Sequence, residues 1–348
     1  MEHLYEEARV ERRRLGTQGL ETAAIGLGCL SMSDFYGAAD EASGIATIRR
    51  ALDLGVDLLD TSDCYGPYVN EELIGRAIAG RRDEVVIATK WGFLRDPGGD
   101  WLGLDGTRGR APEACEASLR RLGIDVIDLW YSHWPDPAVP IEETIGAMGE
   151  LVRAGKVRYL GISNVTAEQA RRAHAEFPIS AIQNDYSLAV RADEAELIPT
   201  ARELGIGYVP FSPLGRGLLT GTVTSTDELF EGDFRRTLST FQEGNLARNL
   251  ALVEVLAGVA REHGASNAQI ALAWVLSRGD DVVPIPGTAK LQRIEENAAA
   301  ADVRLTSEQL DLLDRTFYPG ALAGKNNWAG DELAMANAAR QRARQAAR

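Results

Sequence analysis

The chain has 348 residues, of which 45% are hydrophobic and 25% are charged, as is ordinary for a soluble globular protein. Its formal net charge of -14 argues against nucleic acid and anionic membranes as partners. The length suits one large α/β barrel or two smaller domains.

The N-terminal residues 1–14 carry charges with no apolar stretch after them, so no signal peptide is expected. No window approaches the apolar length of a membrane span. The three cysteines form no CxxC pair, and the four histidines show no HxxxH or HExxH spacing. We therefore expect a cytoplasmic protein without disulfides and without a metal site.

The first predicted element is a small hairpin over residues 12–26, with Gly19 near its turn. Short apolar runs then recur at 23–29, 56–62, 85–90, 126–133, 157–163, 179–185, 206–212 and 281–287. Their near-continuous apolar character is typical of strands buried on both faces. Eight such runs are the number that closes a parallel barrel, and the hairpin is positioned to plug its N-terminal mouth.

Helical spacing of apolar residues fills the gaps between the runs. It predicts helices at 42–55, 70–80, 112–123, 141–155, 166–177, 192–205, 267–279 and near 306–317. Pro112 is predicted at the first position of its helix and Thr166 as an N-cap. The exception is residues 213–246, which show little period, and such long loops are usually functional.

The alternation of strands and helices implies a parallel sheet. The predicted fold is α/β, a single (β/α)8 TIM barrel with a hairpin plug and a C-terminal helical tail. One domain would cover residues 1–348, with a core at about 10–317 and a tail at 318–348.

Polar residues follow the strand-like runs where an active site forms in such barrels, at the C-terminal strand ends. These residues are Asp60, Lys90, His133, Ser163, Asn164, Gln183 and Ser212. Tyr65 lies close after Asp60. A tyrosine phenol has an ordinary pKa of about 10, and a nearby ammonium favours its phenolate. The set predicts proton transfer to a carbonyl oxygen, with Tyr65 as general acid, Lys90 and Asp60 as its support, and His133 as hydrogen-bond partner.

No dinucleotide fingerprint of the Rossmann type is present, because GLGCLS at 26–31 lacks the third glycine and the acidic ribose anchor. Barrels place phosphates near the loops after strands seven and eight. Here those loops cover 212–217 and 285–297, and they contain Arg216, Lys290 and Arg293. The two loops predict a phosphate-binding corner.

The chain resembles the aldo-keto reductase family from the first hairpin to about residue 317. The resemblance is carried by LDTSDCYG, ATKWG, YSHWPDP, GISN, QNDYS, FSPLGRG and IPGT with the following R and EEN. GRG after SPL, together with IPGT, is similar to bacterial branches of the family. The resemblance implies a catalytic tetrad of Asp60, Tyr65, Lys90 and His133.

The resemblance also implies an NADPH site, with NADH as a possible alternative. Its predicted residues are Gly28, Cys29, Asp60, Ser163, Asn164, Gln183, Phe211, Ser212, Leu214, Arg216, Gly287, Thr288, Lys290, Arg293, Glu296 and Asn297. Phe211 stands where many members have tyrosine, and Gly287 where many have a phosphate-binding lysine. The second departure weakens the expected preference for NADPH, and Lys290 is the candidate replacement.

The predicted partner is a small-molecule carbonyl compound. Phe35, Tyr36, Trp91 and Trp134 are candidate pocket walls, and Trp328 in the tail is a candidate to close over the site. Aromatic walls suit aldehydes, ketones, quinones, pyridoxal and nucleotide-sugar ketones alike. Two other hypotheses stay open, a regulatory subunit that binds cofactor without turnover and an aldolase that forms a Schiff base at Lys90. The pattern indicates no particular oligomeric state.

Overall fold

The computed structural model describes residues 10–33, 36, 40–96, 98–242 and 244–324. The strands are β1 (Arg12–Leu15), β2 (Leu20–Ala23), β3 (Leu27–Gly28), β4 (Leu58–Asp60), β5 (Val86–Trp91), β6 (Phe93–Arg95), β7 (Trp101–Leu104), β8 (Ile127–Ser132), β9 (Val157–Ser163), β10 (Ile179–Gln183) and β11 (Gly207–Tyr208). The helices are α1 (Glu41–Asp53), α2 (Val69–Ala77), α3 (Arg110–Leu122), α4 (Ile141–Arg153), α5 (Ala167–Glu176), α6 (Leu197–Leu204), α7 (Asn245–His263), α8 (Asn267–Leu276), α9 (Leu291–Ala299) and α10 (Ser307–Thr316).

Seven strands form one parallel sheet in the order β11-β10-β9-β8-β5-β4-β3, which follows the chain around the sheet. The predicted parallel α/β fold is confirmed. Residues 282–287 lie between the two edges of this sheet and bond to both. On one edge the Val283 N–H donates to Tyr208 O at 2.9 Å, and on the other the Gly28 N–H donates to Pro286 O at 3.2 Å.

The eighth segment differs from the predicted strand because it contains Pro284 and Pro286. Proline has no N–H to donate to a neighbouring strand. The segment therefore makes only isolated parallel bridges, Tyr208 with Val282 and Gly28 with Gly287. It nevertheless occupies the position of the eighth strand between the sheet edges.

The β1–β2 hairpin closes one end of the sheet interior. Leu15 and Leu20 are buried against Leu58, Leu129 and Val283, side chains that fill the interior. Gly207 approaches the Leu15 backbone so closely that a Cβ would lie 2.7 Å from its Cα. The predicted hairpin plug is confirmed.

The helices cover the outer face of the sheet and begin close to the predicted positions. Thr166 caps α5 with a full capping box through Gln169, as predicted. The prediction for Pro112 is wrong by two positions, because α3 begins at Arg110. A proline is tolerated there because the first N–H groups of a helix have no partner within the helix.

Other differences concern elements with weak patterns. The predicted helix at 192–205 is divided into a 3-10 turn, Ala192–Glu194, and α6. The sequence pattern predicts no element at α7, at α9 or at the β6–β7 hairpin. Residues 213–246 contain short 3-10 turns around a small buried apolar cluster that includes Leu218 and Phe241.

The three cysteines are free and buried. Among the described residues, no helix is both long enough and apolar enough to cross a membrane. Trp328 and the rest of the predicted tail from residue 325 lie outside the described residues.

Candidate active site

Lys90 is at the centre of the site, near the end of β5, and its side chain is buried. Its Nζ donates to Asp60 Oδ1 at 2.5 Å and to the Thr61 carbonyl at 2.8 Å. It also donates to the Tyr65 hydroxyl at 3.3 Å. These three contacts use all the donors of an ammonium, so the side chain is held on the segment between Asp60 and Tyr65.

Asp60 ends β4 and is only 3% exposed. Its second carboxylate oxygen accepts from Gln183 Nε2 at 2.7 Å. Burial raises the pKa of Asp60, and the charge of Lys90 opposes that rise. Asp60 thus couples the lysine to β10, a strand 123 positions away in the chain.

His133 follows β8 and contacts the same segment from the other side. Its Nδ1 lies 3.0 Å from Ser62 Oγ. The rings of Tyr65 and Phe93 meet the imidazole edge-on, with centroids at 5.8 and 4.9 Å. Burial, and then the charge of Lys90, hold the pKa of His133 well below its ordinary value. Both effects favour the neutral form of the imidazole.

Ser163, Asn164 and Gln183 form one hydrogen-bonded group next to the tetrad. Ser163 Oγ donates to the Gln183 carbonyl at 2.7 Å, and Asn164 Nδ2 donates to Ser163 Oγ at 3.0 Å. Asn164 also donates to the His133 carbonyl at 3.1 Å. Its φ of 58° is one that asparagine tolerates better than most residues. These three predicted cofactor residues thus lie together, although the Gln183 amide nitrogen is directed to Asp60.

Phe93, Trp101 and Trp134 form an aromatic wall beside the tetrad residues, and only Trp134 was predicted from the sequence. Phe93, on β6, packs against Trp101 at 5.1 Å and Trp134 at 6.2 Å between ring centroids. Tyr65, Trp101 and Trp134 are partly buried against the cluster of Cys64, Phe93 and Leu104. The alternation of Phe93 and Arg95 in β6 was a weak signal for this wall.

Trp91, which was predicted to line the pocket, does not belong to this wall. Lys90 faces the interior, and successive residues of a strand point to opposite faces. Trp91 is therefore directed at the helices, where it is 1% exposed and stacks on Trp130 at 5.2 Å.

The other aromatic candidates are Phe35 and Tyr36. Phe35 lies outside the described residues. Tyr36 packs edge-on against Phe234 at 5.1 Å, and the Arg235 guanidinium lies 5.3 Å from its ring. Tyr36 is thus held by the long segment 213–246.

The loop after β11 contains Arg216, which was predicted to bind phosphate. The Arg216 guanidinium donates to Asp185 at 2.8 Å and is nearly buried. Ser212 and Arg216 both have positive φ, at 50° and 58°. Phe211 and Leu214 remain partly exposed beside this turn.

The second predicted phosphate loop leads into α9. Thr288 Oγ1 accepts from the Lys290 N–H at 3.0 Å, and no side chain caps the first turn of the helix. Lys290 and Arg293 are exposed, and neither forms an ion pair with any other described residue. Glu296 is partly buried and Asn297 is 3% exposed on the same helix.

Gly28, Cys29 and Gly287 belong to the closure of the barrel. Cys29 is packed in the core, its N–H donates to the Asp60 carbonyl, and its own carbonyl accepts from Asn70. Cys29, which was predicted to contact a cofactor, is thus held by the core and by two backbone hydrogen bonds. Gly28 faces Gly287 across the closing bridge, and Gly287 is exposed.

Two further residues were quoted only as part of the LDTSDCYG motif. Ser62 is fully buried and contacts His133. Asp63 is 4% exposed, and burial followed by the charge of Glu71 raises its pKa to about 8. Their positions between Asp60 and Tyr65 were the only sequence signal.

The site combines a buried ammonium, a phenol and a neutral imidazole at the C-terminal strand ends. A cation beside a phenol stabilises the phenolate left after proton donation. A neutral imidazole can donate one hydrogen bond. The arrangement can therefore protonate an oxygen that develops negative charge.

A comparison with protein-family models matches residues 24–316 to the aldo/keto reductase family. Solved bacterial enzymes have the same fold. The glycerol dehydrogenase AKR11B4 from Gluconobacter oxydans has a TM-score of 0.82 and 29% identity, over 90% of this chain and 98% of its own. The aldo-keto reductase AKR11C1 from Bacillus halodurans has a TM-score of 0.76 and 29% identity, over 91% and 99%. An aldo/keto reductase from Klebsiella pneumoniae, in complex with NADP and acetate, has a TM-score of 0.70 and 29% identity, over 91% and 100%.

Proposed function

The chain belongs to the aldo/keto reductase family, and from that membership we propose that it is an NADPH-dependent enzyme interconverting an aldehyde or ketone with its alcohol. The observation that carries the proposal is the contact of Lys90 with both Asp60 and the Tyr65 hydroxyl. A similar protein bound to NADP supports the cofactor. The three free, buried cysteines are consistent with a reducing cytoplasmic compartment.

The proposed cofactor site fits three features of the described residues. The partly exposed Phe211 ring and the group of Ser163, Asn164 and Gln183 suit the nicotinamide end. The uncapped start of α9 suits a phosphate, because helix N-terminal N–H groups favour anions. The exposed Lys290 and Arg293 add cations that would favour a 2′-phosphate.

When bound, NADPH supplies a hydride to the carbonyl carbon of the substrate. Tyr65 then donates its proton to the carbonyl oxygen, and Lys90 at 3.3 Å stabilises the phenolate that results. Asp60 holds Lys90 in place beside the phenol. The neutral His133 donates a hydrogen bond to the same carbonyl oxygen. In alcohol oxidation the phenolate of Tyr65 serves as the base.

The Schiff-base hypothesis is disfavoured by the contacts of Lys90. A Schiff base requires a neutral amine with a lone pair directed at the substrate. The Lys90 nitrogen instead donates to Asp60, to the Thr61 carbonyl and to the Tyr65 hydroxyl. Only a measurement of turnover distinguishes the regulatory-subunit hypothesis from the enzyme hypothesis.

The test is NADPH oxidation by the full chain with a panel of aromatic aldehydes, diketones and pyridoxal. Alcohol oxidation with NADP+ is included, because one similar protein is a glycerol dehydrogenase. Tyr65→Phe should lower kcat by at least about 100-fold, the typical contribution of a general acid. Its NADPH affinity, measured by fluorescence quenching, should change less than about twofold.

Tyr318→Phe is the matched control, because Tyr318 is 60% exposed, and it should behave as wild type. Turnover by Tyr65→Phe at the wild-type rate would refute the assigned role. NADPH binding without turnover across the whole panel would instead favour the regulatory subunit.

A further inference from the structure

Ser62 contacts Nδ1 of His133, the ring nitrogen on the side that the protein holds. Ser62 is fully buried in the segment between Asp60 and Tyr65, and its Oγ lies 3.0 Å from His133 Nδ1. The other polar atom near Nδ1 among the described contacts is Cys64 Sγ at 3.6 Å. A thiol is a weak hydrogen-bond partner, so Ser62 makes the stronger hydrogen bond to Nδ1.

The direction of the Ser62 hydrogen bond determines what His133 offers to a substrate. A neutral imidazole carries one N–H, and which nitrogen carries it is set by the partner of the other. If Ser62 donates to Nδ1, the proton of His133 resides on Nε2. If Ser62 accepts from Nδ1, Nε2 presents a lone pair that would repel a carbonyl oxygen.

The surroundings of Ser62 favour donation to His133. Its Oγ already accepts from the Cys64 N–H at 3.3 Å. The competing acceptors for its proton are more distant, with the Lys90 carbonyl and the weakly accepting Cys64 Sγ at 3.3 Å and Asp63 Oδ1 at 3.4 Å. The Lys90 carbonyl also accepts from the Asp63 N–H at 3.1 Å.

The nearby carboxyl group of Asp63 is a poor competitor at neutral pH. Burial and the charge of Glu71 raise its pKa to about 8, against the opposing charges of Arg121 and Arg110. A protonated carboxyl group attracts the Ser62 proton less strongly than a carboxylate does.

We propose that Ser62 is a positioning residue that donates its hydroxyl proton to His133 Nδ1 and thereby holds the imidazole as the Nε2–H tautomer. This role rests on the proposed carbonyl reduction. It makes His133 a donor to the carbonyl oxygen that Tyr65 protonates. Ser62 itself touches neither substrate nor cofactor in this scheme.

The first test is the tautomeric state of His133, read from 15N NMR of the imidazole nitrogens in the full chain without substrate. The chain has four histidines, and His133→Asn assigns the signal. We expect a protonated Nε2 in the wild type and in Ser62→Thr, which keeps the hydroxyl. In Ser62→Ala the signal should shift toward the Nδ1–H form. A protonated Nδ1 in the wild type, or an unchanged spectrum in Ser62→Ala, would overturn the proposal.

The second test is kinetic and separates positioning from folding. Ser62→Ala should lower kcat by about 10- to 100-fold, as expected for one lost hydrogen bond in the transition state. NADPH affinity should stay within about twofold of wild type, and Ser62→Thr should recover most of the activity.

Ser132→Ala is the matched control, because Ser132 is a buried serine next to His133 in the chain. Tyr131 faces Lys90, so Ser132 faces the helices and its loss should leave kcat within about twofold. An equal fall in kcat for both serine variants would contradict the proposal. If the wild type turns over no carbonyl compound, the proposed function fails, while the NMR signal still decides the role of Ser62.

Discussion

At the scale of single residues, the pKa of each buried carboxyl group in the site depends on the cations and hydrogen-bond donors close to it. Asp60 and Asp63 are three positions apart, and both are almost fully buried. Asp60 is bonded to Lys90 and Gln183. Asp63 contacts the Ser62 hydroxyl, and its nearest cations are the more distant Arg121 and Arg110. The negative charge of Glu71 opposes the effect of these two arginines on the pKa of Asp63. A buried carboxyl group without a close cation favours its neutral form.

This difference predicts how stability depends on pH at Asp63. The pKa of Asp63 is raised to about 8 in the folded chain, from 3.8 as its ordinary value. Between these values the folded state retains a proton that the unfolded state has released. The free energy of unfolding therefore falls as pH rises through this window.

Asp63→Asn should remove this fall in the free energy of unfolding with rising pH. The unfolding free energy of the variant relative to wild type should increase with pH, by at most about 1.4 kcal/mol per unit, and level off above about pH 8. Denaturant unfolding across that range measures it, with the exposed Asp125→Asn as control. A difference independent of pH would show that Asp63 is ionised in the folded chain at neutral pH.

Arg293 is the residue expected to decide between the two nicotinamide cofactors. It is exposed near the start of α9, where a guanidinium can bind a phosphate in bidentate fashion. Arg293→Ala should weaken NADPH binding by about 10-fold or more, the range of a charge-assisted hydrogen bond. NADH binding should change less than about twofold.

Fluorescence quenching titrations with both cofactors measure this difference. Arg14→Ala is the control, because it removes the same charge from the hairpin at the opposite end of the barrel. Equal losses of NADPH and NADH affinity in Arg293→Ala would rule out recognition of the 2′-phosphate.

At the scale of elements, hydrophobic patterns identified the seven strands of the sheet but not every contribution to the site. The β6–β7 hairpin was missed because its strands are short and the turn between them contains proline and glycines. It nevertheless places Phe93 against His133. In α9 only Ile294, Asn297 and Ala298 are buried, so its apolar stripe is narrow.

The closing segment gives a test at this scale, at Gly28. A Cβ on Gly28 would lie 2.9 Å from the Ile285 carbonyl and 3.4 Å from Gly287 Cα. These are backbone atoms, which cannot turn away as a side chain can. Gly28→Ala should therefore lower the free energy of unfolding by about 1–3 kcal/mol, the usual cost of overpacking.

Thermal or denaturant unfolding measures this loss. Gly109→Ala is the matched control, because a Cβ there meets no atom within 4 Å and its φ of -69° is ordinary. A Gly28→Ala variant as stable as the control would show that the closing segment can shift without cost.

At the scale of the whole molecule, the barrel brings distant segments to one mouth. Asp60, Lys90, His133 and Gln183 follow or end four different strands, and parallel strands place those ends on the same side. The hairpin seals the other end with Leu15 and Leu20. The proposed chemistry is therefore restricted to one face, while the opposite face contributes stability.

Most of the fold and the position of the proposed tetrad residues at the strand ends were predictable because their signals are local. Apolar runs mark strands, Thr166 and Gln169 mark a helix start, and Asp60, Lys90 and His133 directly end or follow such runs. Local patterns do not indicate which partner a polar group will find. Trp91 was therefore assigned to the pocket although it faces the helices, and Cys29 to a cofactor although it lies in the core.

The sequence alone determined the order of elements, the barrel and the residues offered at its mouth, because periodicity and strand ends are properties of short segments. Only the tertiary structure decided how those residues are paired. It bonded Arg216 to Asp185, directed Gln183 to Asp60 and set Ser62 against His133. The reason is physical, since burial raises the cost of every unpaired polar atom. Each such atom is satisfied by whichever partner packing brings within reach, however distant in the chain.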